Sequence, residues 1–77
     1  MKVLFLYETR LGPATIRYNP TTSRYLVFLT DEPLDNYHSA EHCAEAIANG
    51  RTQAHSLCHD TSVLGIPEEL VEWTRIS

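Results

Sequence analysis

Residues 24–30, R-Y-L-V-F-L-T, alternate their side chains between two faces, and both faces are apolar at the centre of the run. A short apolar stretch rich in β-branched and aromatic residues fits a covered strand. Immediately before it, Asn19-Pro20-Thr21-Thr22-Ser23 is turn chemistry throughout. Before that turn, Ala14, Ile16 and Tyr18 alternate with Thr15, Arg17 and Asn19, the period-two pattern of a half-buried strand. Strand, turn and strand in direct succession predict a β-hairpin, so antiparallel pairing organises the rest of the chain.

Two flanking segments extend that hairpin. Val3 to Tyr7 is rich in β-formers and apolar on both faces, which reads as a strand covered on each side, with Gly12-Pro13 as punctuation after it. Asp31-Glu32-Pro33 turns the chain again, and Leu34 to Tyr37 offers a short fourth strand. A helix is expected from Ser39, a good N-cap. Ala40, Cys43, Ala44 and Ile47 form its apolar stripe, while Glu41, His42, Glu45 and Asn49 line its wet side. Asn49-Gly50 stops it. Arg51 to Ser62 has no period and reads as a loop. Pro67 suits the first turn of a second, short helix, with Glu68 and Glu69 at its positive end. Ile66, Leu70, Trp73 and Ile76 would dock that helix on the sheet. The expected order is β-β-β-(β)-α-loop-α. This is an α+β fold: a small antiparallel sheet of three to four strands with one main helix and a short C-terminal helix packed on it, as a single domain over residues 1–77.

A chain of 77 residues hides only about 60% of its unfolded surface, so dimerisation, a metal or a disulfide would be a useful brace. Ten acidic against six basic residues give a net charge of −4, which argues against nucleic acid, a partner that demands a basic footprint. The acids are dispersed, as on an ordinary solvated surface. The opening M-K-V-L-F-L-Y-E has an apolar run too short for a signal peptide, and no stretch approaches the ~20 apolar residues of a membrane span. The expected location is therefore cytoplasmic, with no membrane partner and with reduced thiols. Two cysteines, Cys43 and Cys58, are in any case too few for a disulfide scaffold.

All four histidines and both cysteines fall between His38 and His59, in H-S-A-E-H-C and H-S-L-C-H. A zinc site needs about four converging Cys or His ligands. His55, Cys58 and His59 are close enough in sequence to chelate from one loop, and Cys43 or His38 would have to complete the set. His42 and Cys43 cannot both join, because adjacent helical residues point about 100° apart. Recognisable zinc sites generally carry a second knuckle, and this sequence does not. The competing reading treats Cys43 as a small buried hydrophobe and the histidines as surface residues. A thiol enzyme would use Cys58 as nucleophile, His59 or His55 as base and Asp60 as orienting acid. Neither a glycine-rich oxyanion loop nor the bulk for a large pocket accompanies them, so catalysis is not expected. Glu68-Glu69 and Asp31-Glu32 are explained by a helix start and a turn rather than by acid–base work. Isolated Gly12, Gly50 and Gly65 build no phosphate cradle.

In the tail, Asp60-Thr61-Ser62 offers three side chains able to bond nearby backbone amides. Leu64, Trp73 and Ile76 either pack in the core, the favoured reading, or form an exposed interaction patch, since Trp is prominent among interface hot spots. The hairpin Y-N-P-T-T-S-R-Y-L-V-F-L, the helix end A-E-A-I-A-N-G and the tail D-T-S-V-L-G-I-P-E-E-L-V-E-W resemble a family of small uncharacterised bacterial proteins. The likeness covers roughly residues 18–73 and implies no activity, cofactor or catalytic residue. Small core and sheet edges in need of cover lead to the functional expectation: a non-enzymatic module that binds a protein partner, including a second copy of itself as a homodimer. No cofactor is expected; zinc binding and Cys58 chemistry stand as alternatives from other classes.

Overall fold

The computed structural model of the chain describes residues 2–51 and 61–76. Five strands, β1 (Lys2–Thr9), β2 (Gly12–Asn19), β3 (Arg24–Leu29), β4 (Glu32–Tyr37) and β5 (Thr74–Arg75), form one antiparallel sheet in the order β4-β3-β2-β1-β5. One helix, α1 (Ala40–Ala48), packs on it. The α+β expectation holds in outline, but the sheet has five strands, not three to four.

Register assigns each side chain its face. Ile16 pairs with Phe5 and Val27, and Ala14 with Tyr7 and Leu29, so these six share the face that meets α1. From the helix come Ala40, Cys43, Ala44 and Ile47, the apolar stripe read from the sequence, all buried. On the opposite face Leu6, Thr15, Phe28 and Pro33 form one cross-strand row. No described helix covers that row. Instead Arg17 lies across it: its guanidinium carbon sits 4.0 Å from the Phe28 ring centroid. Nε donates to Thr15 Oγ1 at 3.1 Å and Nη2 to Asp31 Oδ1 at 2.8 Å. The arginine stem and head thereby bury Thr15 and Phe28, an amphipathic side chain serving as the second cover that β3 requires.

Ser39 caps α1 as expected, its Oγ accepting from the His42 amide at 3.1 Å. The helix closes at Asn49, and Gly50 follows in the left-handed region at φ 70°. The β3–β4 turn lies one residue earlier than the sequence implies. Leu29 pairs with Glu32, leaving Thr30 and Asp31 as a two-residue loop with φ 50° and 68°. Both central residues are thus left-handed, which matches the twist of a tight hairpin but strains a β-branched threonine. Hydrogen bonds offset that strain: Thr30 N–H donates to Pro13 O at 2.9 Å and its hydroxyl to Leu29 O at 2.7 Å.

The C-terminal third departs most from expectation. Thr61–Leu64 forms a 3-10 helix where the sequence reads as loop up to Ser62. The buried Thr61 hydroxyl donates to the Ile47 carbonyl, 2.6 Å away, at the end of α1. The second helix expected from Pro67 is absent among the described residues. Glu69 is extended, and only Leu70–Glu72 makes a 3-10 turn before β5 joins β1. The physical reason is an exchange of backbone partners. A helix of a turn or two leaves most of its terminal amides and carbonyls unpaired, whereas the free edge of β1 offers ready ones. Ile76 N–H reaches Leu4 O at 2.8 Å. Trp73 anchors the exchange with its ring on Tyr7 at 5.8 Å and its Nε1–H donating to Pro67 O at 2.9 Å. No helix among the described residues is long and apolar enough to cross a membrane.

Candidate functional site

The histidine and cysteine cluster is taken apart by the fold where it is described. His38, after the end of β4, is exposed, and Arg24 Nη1 lies 3.0 and 2.9 Å from its two ring nitrogens. His42 is exposed on α1, its ring stacked on Tyr37 at 4.9 Å. Cys43 points the other way, into the core, where Sγ donates to Tyr25 O at 3.4 Å. Burial, and then the charge of Asp35, push its thiol up to about 12. Such a thiol stays protonated at neutral pH and is a poor nucleophile or ligand. His55, Cys58, His59 and Asp60 lie outside the described residues. Among those described, no three His, Cys, Asp or Glu side chains stand together in a way that could hold a metal ion.

Two features without a sequence motif appear beside this region. Tyr37 Oη donates to Asp35 Oδ2 at 3.2 Å, and burial together with that carboxylate raises the phenol to about 12. Between α1 and residues 68–70 opens a cleft of about 490 Å³, with Glu41, His42 and Glu45 on one wall and Glu68 and Glu69 on the other. Glu45 is bridged to Arg51 at 2.6 Å. Sequence reasoning placed Glu41 and Glu45 on the wet side of α1 and Glu68 and Glu69 at a helix start, with no signal that the two pairs face one another.

The tail residues separate as well. Leu64 is half-buried and packs against the core, Trp73 is buried, and Ile76 is 53% exposed. Ile76 belongs with Val71, which is 86% exposed; the third exposed large apolar side chain among the described residues is Leu11. Val71 and Ile76 bracket β5, the outer edge of the sheet. That edge is unguarded in a further respect: β5 pairs with β1 only at Phe5 and Leu6, so Tyr7–Thr9 have no ladder partner on that side among the described residues. The opposite edge, β4, carries Glu32, Pro33, Asp35 and Asn36 and a register irregularity between Val27 and Phe28. These devices discourage strand addition. Compared with known proteins, the chain matches no family model, no curated protein and no solved structure.

Proposed function

We propose that this chain is a non-enzymatic interaction module that pairs with a second copy of itself along the β5 edge. The contrast between the two sheet edges carries the reading. One edge is blocked by proline, acids and an irregular register, while the other is short, open among the described residues and flanked by exposed Val71 and Ile76. The segment is also self-complementary. In a two-fold arrangement about this edge, Val71 and Glu72 on the 3-10 turn can meet the second copy's Ile76 and Arg75 at its strand. Opposite charges and apolar side chains are then matched at once. An edge contact of this size is at the small end of specific interfaces, so micromolar-to-millimolar self-association is expected. It would give a small core the brace that its size calls for.

Sedimentation or light scattering over a wide concentration range tests the proposal. A dimer fraction that grows with concentration and is lost in Val71→Glu and Ile76→Glu supports it. So does weakening by Glu72→Arg that is restored when Arg75→Glu is added. A strict monomer at millimolar concentration sinks it, as does a dimer indifferent to all four substitutions.

A further inference from the structure

At the end of the sheet remote from the β3–β4 turn, Arg24 is held, among the described residues, by Asn36 and His38. It is the first residue of β3, pairs with Asn19 across the hairpin and lies on the face away from α1. Its Nε donates to Asn36 Oδ1 at 2.9 Å, and Nη1 sits equally close to both ring nitrogens of His38. Equal distances place the guanidinium edge over the ring rather than along either lone pair. Among the described residues Nη2 meets no acceptor and no carboxylate lies within ion-pair range. That is unexpected in a chain with ten acids and six bases. Beside the guanidinium is a concavity of about 180 Å³ bounded by Asn19, Thr22, Leu26 and Asn36.

We infer that this concavity is a binding site for a small carboxylate. Asn36 and His38 hold the guanidinium plane in place, which removes most of the rotamer entropy an arginine would otherwise lose on binding. Nη2, which meets no acceptor among the described residues, is then left to donate a charge-assisted hydrogen bond to a carboxylate oxygen. The side-chain amides of Asn19 and Asn36 and the Thr22 hydroxyl supply neutral donors around it. A single guanidinium neutralises a single charge, whereas a phosphate carries nearly two and is better served by several cations. Leu26 on the floor gives the carbon substituent of a carboxylate an apolar surface. The volume is below that of ordinary ligand pockets, so the occupant has few heavy atoms beyond the carboxylate itself.

The test is an NMR titration of the full chain with sodium acetate, sodium propionate and inorganic phosphate, each against sodium chloride at matched ionic strength. Saturable shifts of the Arg24 Nε–H and of the Asn19 and Asn36 side-chain amides are expected with acetate, with millimolar dissociation constants. Propionate should bind several-fold more tightly. Arg24→Gln should abolish the shifts. Asn36→Asp, which places an internal carboxylate beside Nε, should abolish them too while leaving the fold unchanged by backbone shifts. Absence of saturation, identical shifts with chloride, tighter binding of phosphate than of propionate, or full binding by Asn36→Asp would each overturn the inference.

Discussion

Replacing Trp73 with alanine separates the two roles the tail allows this residue, core anchor or exposed hot spot. Trp73 is only 5% exposed, touches Tyr7 at 5.8 Å and ties Pro67 by a 2.9 Å hydrogen bond. A buried indole removes roughly 200 Å² from water; at about 25 cal/mol/Å² this is worth about 5 kcal/mol. Residual burial in the unfolded chain lowers that to about 3–4 kcal/mol, within the usual range for removing a core aromatic. A domain of this length is held by only about 4–12 kcal/mol, so Trp73→Ala should forfeit a large part of its stability. The corresponding fall in melting temperature is about 15 °C or more. Trp73→Phe keeps a ring in the core but loses the Pro67 bond and some volume, for about 1–2 kcal/mol.

Urea unfolding at several protein concentrations is the assay. Because Trp73 is the sole tryptophan, its fluorescence reports its own burial in the wild type. The expected loss is independent of concentration, since it resides within one copy of the chain. A Trp73→Ala cost under about 1 kcal/mol, or wild-type emission typical of a water-exposed indole, would refute the packing argument. A cost that appears only at concentrations where the chain dimerises would return Trp73 to the interface.

Three further outcomes follow from strain and from burial. Thr30→Gly should stabilise the chain by up to about 1 kcal/mol, because glycine enters the left-handed region freely. Gly12→Ala should destabilise it by about 1–3 kcal/mol, since a Cβ there overlaps the Thr30 methyl group and φ is 123°; the melting temperatures check both signs. In the folded chain Cys43 is raised from 9.0, and Tyr37 from 10.0, to about 12. The unfolded chain therefore releases these protons first, so the stability these two groups contribute is constant below about pH 9 and is lost from there to about pH 12. Cys43→Ala with Tyr37→Phe should flatten that fall in urea titrations; an unchanged slope would assign it to other groups.

The first half of the fold was legible because its signals are local. Period-two alternation, the N-P-T-T-S turn, the Ser39 cap and the helical spacing of Cys43 and Ile47 each act within a few residues of one another. The burial of Cys43 and the exposure of His42 follow from that spacing alone, which is why the His/Cys string reads as two opposed faces and not as one site. The tail was misread for the converse reason. Ile66, Leu70, Trp73 and Ile76 fit a helical period, yet that pattern says nothing of a vacant strand edge elsewhere in the chain.

What the sequence determined by itself is the antiparallel hairpin, the main helix with its buried stripe, and a net charge of −4. Only the tertiary structure decided which backbone groups the tail would satisfy and what would cover the second face of the sheet. It also brought Glu41 and Glu45 to face Glu68 and Glu69, and set Arg24 between Asn36 and His38. In each case the decisive energy lies between segments far apart in sequence. The β1 edge outcompetes a short helix because it pairs amides that helix would leave open. Arg17 reaches across to Asp31 because Phe28 needs cover that no nearby residue supplies.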